Sequence, residues 1–265
     1  MRQRQLLRGF DPPRGVSVSA LAYQYPAASR VAEHAHGSDQ LIYATSGIME
    51  VSSGRSIWTV PPQFALWIPA TTFHKIEMIG EVSMRTLYFR PGIVSRRESG
   101  SSLLYVTPLL RELIVEAVRL TRLRVRSRME CALRELLIAQ LRNATAAPIG
   151  IMMPSEPRAL ALARLIVRNL AASDSLANLC AEAGVGIRTA QRNYRRELGV
   201  DIETWRRQVR LIRAVQLLVA GRSVKEVAHT VGYRQSSAFV EAFRRLFNAT
   251  PKVWTADLCG GRRFD

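Results

Sequence analysis

Cysteine is scarce: Cys131, Cys180 and Cys259 are the only three in 265 residues, far apart and odd in number. That excludes a disulfide framework and a cysteine-based metal motif. Cys180 falls on an apolar helical stripe, where a buried, reduced thiol is expected, and a reducing compartment follows. Long apolar runs are missing as well, since nothing approaches the ~20 residues a membrane-spanning helix needs. The start, MRQRQLLRGF, has the basic residues of a signal peptide but no apolar core and no small-residue cleavage site. The expectation is a cytoplasmic protein without a membrane partner, carrying a short basic tail over residues 1–15. Lysine is rare too, and Lys75, Lys225 and Lys252 are the only lysines among 38 basic residues. Arginine's planar fork suits phosphate and guanine, although a GC-rich genome produces the same bias.

Acidic residues are in deficit, with 21 Asp+Glu against 38 Lys+Arg and a net charge of +17. Residues 155–265 alone hold 19 basic residues against 10 acidic ones. Such an excess suits a polyanion such as DNA, while RNA or an acidic membrane surface would fit the charge equally. At 48% hydrophobic and 22% charged, the chain reads as globular.

Three segments follow one another. From Val16 to about Arg90, QLIYATS, GIMEVSS, SIWTVPP, FALWIPA and VSMRTLYF are short, β-branched and aromatic. Ser46-Gly47, Ser53-Gly54 and Pro61-Pro62 read as the turns between them, giving an antiparallel sandwich or barrel over residues 16–104. Residues 108–122 and 126–142 then repeat apolar residues at helical spacing. Leu109, Leu113, Ala117 and Leu120 form one stripe; Leu133, Leu136, Leu137, Ala139 and Leu141 form a broader surface. These helices, within a connector segment 105–145, either cover the open end of the β domain or join two copies of the chain. Residues 146–155, proline-rich and without helical period, read as a linker. From 156 to 257 everything reads helical.

That last segment contains a repeat. SLANLCAEAGV (175–185) aligns with SVKEVAHTVGY (223–233) at an offset of 48, and YRRELGVDIETW (194–205) with FRRLFNATPKVW (243–254) at 49. Each copy opens on a serine able to cap a helix, Ser175 or Ser223. A short helix follows, with Leu176, Leu179 and Ala183, or Val224, Val227 and Val231, turned inward. A glycine, Gly184 or Gly232, then permits the sharp turn into a second helix. This is the grammar of two tandem helix-turn-helix units. In the first, burial of Ile187, Ala190, Tyr194 and Leu198 leaves Arg188, Thr189, Gln191, Arg192 and Arg195 for DNA; arginine and glutamine can pair with guanine and adenine edges. In the second, Phe239, Phe243 and Leu246 form the buried stripe. Arg234, Gln235, Ser236 and Ser237 stand at the helix start, the end that enters the groove. Arg244 and Arg245 are placed either for phosphates or for pairing with Glu241. The helix between the units, residues 202–220, spans about 28 Å, close to the ~34 Å between successive major grooves on one side of a duplex.

Residues 156–257 resemble the DNA-binding domain of the AraC/XylS family of bacterial regulators. The glycine, the aromatic residue after it, the Ser-x-Phe, the Phe-Arg-Arg and the Thr-Pro-x-x-Trp all stand within SVKEVAHTVGYRQSSAFVEAFRRLFNATPKVW. Ala190 and Asn193 depart from the larger apolar or basic residues usual in that family. The resemblance implies binding of double-stranded promoter DNA and contact with RNA polymerase.

Three of the four histidines fall in the β domain. His34-Ala35-His36, followed by Gln40 and Gly47, and Pro69 followed by His74, resemble the two cupin motifs H-x-H-x3-E-x6-G and P-x-G-x2-H. Gln40 stands at the glutamate position and Thr71 at the turn glycine. A cupin barrel would bring His34, His36, Gln40 and His74 together in its mouth. They would hold either a divalent metal or a small-molecule effector without metal. Trp58, Phe64, Trp67 and Phe73 would line that pocket or fill the core, and His229 is expected at the surface. The fold class expected is therefore two-domain: an N-terminal, cupin-like antiparallel β-barrel with connector helices, and a C-terminal all-α domain of two helix-turn-helix units. The function expected is a sequence-specific transcription regulator responding to a small molecule, with no required cofactor and no catalysis. A cupin enzyme and an architectural DNA-binding protein are the alternatives. The missing carboxylate counts against the first, and two base-reading helices count against the second.

Overall fold

The computed structural model describes residues 5–6, 11–96, 100–124, 127–146, 150–170 and 175–260. Most of the expected basic tail, residues 1–4 and 7–10, lies outside them. The chain divides into two compact units, residues 1–54 with 58–150 and residues 55–57 with 151–265.

The strands in order are β1 (Gln5–Leu6), β2 (Val16–Tyr25), β3 (Arg30–Ala35), β4 (Asp39–Ser53), β5 (Ser56–Val60), β6 (Phe64–Ile68), β7 (His74–Phe89), β8 (Ser102–Tyr105), β9 (Arg122–Arg124) and β10 (Gly150–Met152). The long strand β7 is the hub of the first unit. Its residues 82–89 lie antiparallel between β2 and the first half of β4, pairing Phe89 with Val18 and Tyr88 with Gln40. Its residues 74–79 lie between β3 and the second half of β4, and His74 stands opposite His34. β6 pairs with β4 and β8, and β1 lies parallel to β3.

Sequence periodicity divides β4 at a Ser46-Gly47 turn, but the chain runs through as one strand with register shifts between Ala44 and Ile48. Gly47 has φ +80°, and a Cβ there would lie 2.1 Å from the Glu81 carbonyl oxygen. The glycine makes a bulge that lets β4 pass close to β7, so a turn residue serves a continuous strand.

Helices α1 (Pro108–Leu120) and α2 (Arg128–Asn143) start on side-chain caps from Thr107 and Ser127. Leu110, Leu113, Ile114 and Ala117 of α1 and Leu137, Ile138 and Leu141 of α2 share one core with Val18, Leu41, Trp67 and Phe89. The two helices thus cover the sheet. Leu109 and Leu136, expected on the buried stripes, are 47% and 43% exposed. Leu113 and Ala117 of α1 and Leu137 and Leu141 of α2 are buried as expected, and Leu110, Ile114 and Ile138 complete the face in that core. Trp58, Phe64 and Trp67 are buried, with Trp67 against Phe89 in that core.

The second unit holds α3 (Pro157–Arg168), α4 (Leu176–Glu182), α5 (Ile187–Leu198), α6 (Ile202–Val219), α7 (Val224–Thr230), α8 (Ser236–Phe247) and α9 (Pro251–Gly260). The expected linker is not structureless, since residues 150–152 form β10; residues 147–149 lie outside the described residues. The core of the first helix-turn-helix gathers Leu162, Ile166, Leu179, Cys180, Tyr194, Trp205 and Val209. Burial pushes the Cys180 thiol up, which keeps it unreactive.

Candidate nucleic-acid interface and histidine site

The two repeats fold alike, the second with one more residue in the turn between its helices. Ser175 accepts from the Asn178 backbone N–H at 3.2 Å, and Ser223 from that of Glu226 at 3.3 Å. Only the second copy closes a full capping box, because Glu226 reaches back to the Ser223 N–H at 3.0 Å, whereas Asn178 stands there in the first. Both turns use a left-handed glycine, Gly184 at φ +66° and Gly232 at φ +84°. The next N–H in each returns to the short helix, Val185 to the Cys180 carbonyl at 2.9 Å and Tyr233 to that of Ala228 at 2.8 Å. The second helices both end on a left-handed residue, Gly199 and Asn248. An edge-on ring pair follows each, Tyr194–Trp205 at 5.5 Å and Phe243–Trp254 at 5.8 Å.

On α5 the structure places Arg188, Thr189, Arg192 and Arg195 in solvent and leaves Gln191 half-buried. Ile187, expected inside, is 39% exposed, since it opens the helix beyond the reach of the core. Asn193 takes an inward place instead, and its Nδ2 donates to Glu156 Oε2 at 3.1 Å. Glu156 is the N-cap of α3, so this residue ties the second helix of the first unit to the helix before it. On the second unit Arg234, Gln235 and Ser237 are exposed at the start of α8 and Ser236 is half-buried. Phe247, not Leu246, completes the buried stripe with Phe239 and Phe243. Arg244 and Arg245 are exposed, and both pair with Glu241 at 3.0 Å. Among the described residues Arg188, Arg192 and Arg195 make no ion pair. His229 is exposed on α7.

The histidine site assembles from three strand ends. His34 is next to last in β3, His36 follows that strand, Gln40 is second in β4 and His74 opens β7. All four are buried, His74 completely at 0% exposure. One ring nitrogen from each histidine lies within 4.8 Å of the others. The Nδ1 atoms donate to backbone carbonyls: His34 to Ala32 at 2.9 Å, His36 to Ser38 at 2.8 Å and His74 to Thr72 at 2.9 Å. Burial pushes the His74 imidazole down to about 3; the Thr72 carbonyl pulls it up, and His34 and His36 press it further down. Burial lowers His34 as well. Both rings are therefore neutral near pH 7.

The turn before His74 holds Thr71 at φ +62°, and the Thr71 N–H donates to the His36 carbonyl at 2.8 Å. The left-handed conformation suited to glycine is thus kept by a β-branched residue. Two partners escaped the sequence reading. Gln40 Nε2 donates to Thr86 Oγ1 at 2.9 Å and to the Tyr88 hydroxyl at 3.2 Å. Period-two counting along β7 puts residues 86 and 88 on one face, but only the Gln40–Tyr88 register points that face at the site.

Comparison with known proteins decides the family. Residues 15–182 match the AraC-like ligand binding domain, and residues 179–257 match a helix-turn-helix domain. The chain belongs to the AraC family of transcription regulators. It is 26% identical over 260 residues to the HTH-type transcriptional regulator NimR of Escherichia coli K12, covering 97% of this chain and 95% of NimR. It is 34% identical over 108 residues to the HTH-type transcriptional regulator RipA of Corynebacterium glutamicum, covering 41% of this chain and 33% of RipA. Fatty-acid-bound ToxT of Vibrio cholerae aligns over 94% of this chain and 98% of its own, at 12% identity and a TM-score of 0.40. No described helix of this AraC-family chain is long and apolar enough to cross a membrane.

Proposed function

We propose that this regulator reads promoter DNA with α5 and α8 and that its amino-terminal unit senses a small effector at His34, His36, Gln40 and His74. The observation that carries the DNA reading is the α5 surface. Three arginines, Arg188, Arg192 and Arg195, stand exposed at i, i+4 and i+7 with no ion pair among the described residues. Unpaired guanidinium groups on the second helix of such a unit suit base edges and phosphates. The 18 residues of α6 span about 27 Å, which suits two helices entering successive major grooves on one face. Action is by binding rather than by catalysis, in the cytoplasm where the DNA lies, and the bound regulator contacts RNA polymerase.

A second copy of the chain is the further partner. Met129, Ala132, Leu136 and Ala139 line one exposed edge of α2 at spacings of three and four residues, the rhythm of helices that pair. Covering the sheet and pairing with a copy thus use opposite sides of α2.

The test is selection of genomic fragments by the purified protein, followed by footprinting at two salt concentrations. Protection of a defined site across two successive major grooves supports the reading. Uniform, steeply salt-dependent protection without a preferred site overturns it.

A further inference from the structure

We infer that the first unit grips the phosphate backbone of duplex DNA through an arginine corner of Arg14, Arg122, Arg124 and Arg128, an inference that rests on the DNA-binding reading above. Strand alternation sets the corner up. In β9, Leu123 turns into the core opposite Val18, and Arg122 and Arg124 on either side of it are exposed. The two cations therefore share one face, about 7 Å apart along the strand. β9 lies antiparallel to the start of β2, where Arg124 stands opposite Val16, two residues beyond exposed Arg14 in the preceding turn. The first turn of α2 closes the corner. Glu130 accepts the Arg124 backbone N–H at 2.5 Å, and Cys131 Sγ lies 3.8 Å from the Arg124 carbonyl oxygen. Arg128, at the first position of that helix, is exposed beside them.

These arginines differ from their neighbours in lacking a carboxylate. On the same two helices Arg111 pairs with Glu112, Arg119 with Glu116 at 2.6 Å and Arg134 with Glu135 at 2.6 Å. Among the described residues Arg14, Arg122, Arg124 and Arg128 make no ion pair, and Glu130 is engaged by a backbone N–H. Charges on an outer strand also discourage pairing with another chain. That role does not account for this corner. β9 is three residues long, already too short to template a partner strand, and Arg14 and Arg128 lie on a turn and a helix.

The residue type selects the occupant. A guanidinium offers a planar fork that matches phosphate oxygens, and Arg122 and Arg124 are spaced near the step between neighbouring phosphates of one DNA strand. An acidic protein partner would call for an aromatic or aliphatic anchor among the cations. The residue between those two, Leu123, is buried instead. A contact of this kind goes to the backbone and carries no sequence information. It adds grip and steepens the salt dependence without altering which bases are preferred.

The experiment measures the affinity of the full chain for its selected DNA site and for random duplex over a series of salt concentrations. The test variant is Arg122→Gln/Arg124→Gln/Arg128→Gln. Its control, Arg30→Gln/Lys75→Gln/Arg111→Gln, removes the same charge from cations that already face a glutamate. Each lost phosphate contact lowers the slope of log affinity against log salt by about 0.9. We expect the slope of the test variant to fall by about 2–3 on both DNAs, with the ratio of specific to random affinity kept. The control should match the wild type. Hydroxyl-radical cleavage should show backbone protection lost in the test variant and base protection unchanged. Should the triple variant fail to fold by circular dichroism, Arg122→Gln/Arg124→Gln leaves α2 untouched and should lower the slope by about 1–2. An unchanged slope in the folded variant overturns the inference and gives the corner to a protein partner. Equal falls in test variant and control overturn it too, as an effect of net charge alone. The DNA reading fails separately. A preferred site with an unchanged variant slope leaves the regulator and removes the corner, uniform binding with a reduced variant slope does the reverse, and a wild type without DNA affinity removes both.

Discussion

The repeat supplies an internal control for a stability prediction. Gly184 and Gly232 occupy equivalent turns, with φ of +66° and +84°. An alanine in either must hold a left-handed backbone, at about 1–2 kcal/mol. Their surroundings differ. A Cβ at Gly184 meets nothing within 4 Å, whereas at Gly232 it would stand 2.5 Å from the Leu170 carbonyl oxygen and 2.8 Å from Arg210 Nη2. The arginine tip can move, but the carbonyl belongs to backbone that must shift by most of an ångström. Overpacking of that kind adds roughly 1–3 kcal/mol. Gly184→Ala should therefore lose about 1–2 kcal/mol and Gly232→Ala about 2–5 kcal/mol. Urea unfolding of the full chain, read by circular dichroism at the helical band, measures both, since most of the helix lies in the second unit. Equal losses in the two variants would show that the turn gives way freely and that close approach to Leu170 is not a constraint.

Four further outcomes are expected. Thr71→Gly relieves a left-handed β-branched residue and should stabilise the first unit by about 1 kcal/mol, raising its calorimetric transition by roughly 2–4 °C; an unchanged or lowered transition would contradict the strain. Arg192→Ala should cost about 1–3 kcal/mol on the specific site and relax base preference at one position, while Arg195→Ala weakens binding to all sequences alike. Equal loss on specific and random DNA for both would refute that division. Glu241→Ala frees Arg244 and Arg245 and should tighten DNA binding, steepening the salt dependence by about one or two phosphate contacts; weaker binding would place Glu241 at a base edge. Leu136→Arg should leave the fold intact and shift sedimentation toward a monomer; a sedimentation coefficient that does not change would remove α2 from the pairing surface.

Much of the fold was legible because period and punctuation agree. The second unit announces itself by serine caps, left-handed glycines and a duplicated spacing, and these are local signals. The histidine site was legible through spacing along two short stretches. What escaped was set by neighbours distant in sequence. Gly47 reads as a turn because glycine usually makes one, and only the approach of Glu81 shows a bulge. The stripes of α1 and α2 are apolar on more than one side, so periodicity could not say which side meets the sheet. Asn193 looked like a departure from pattern until its bond to Glu156 supplied a reason. Ile187 looked buried by spacing alone, yet a first-turn residue has no following layer to cover it.

The same repeat shows where the two units have parted. At an offset of 49, Arg188 stands against Ser237, Arg192 against Glu241, and Arg195 against Arg244. The first unit therefore presents three cations at positions where the second presents a hydroxyl, a carboxylate and an arginine paired to that carboxylate. Their cores diverge in the other direction. Ala190 and Tyr194 fill the place taken in the second unit by Phe239 and Phe243, whose rings stack on with Phe247 and Trp254 at 4.3–5.9 Å. A helix held by a chain of aromatic contacts is stiff, and one with its cations neutralised gains little from phosphate. If the two helices read DNA as proposed, α5 would supply most of the electrostatic grip and guanine-type contact, and α8 would read shape and a few edges through Arg234, Gln235, Ser236 and Ser237. Base changes in the half-site under α5 should then cost more than those under α8, and added salt should erode the α5 footprint first.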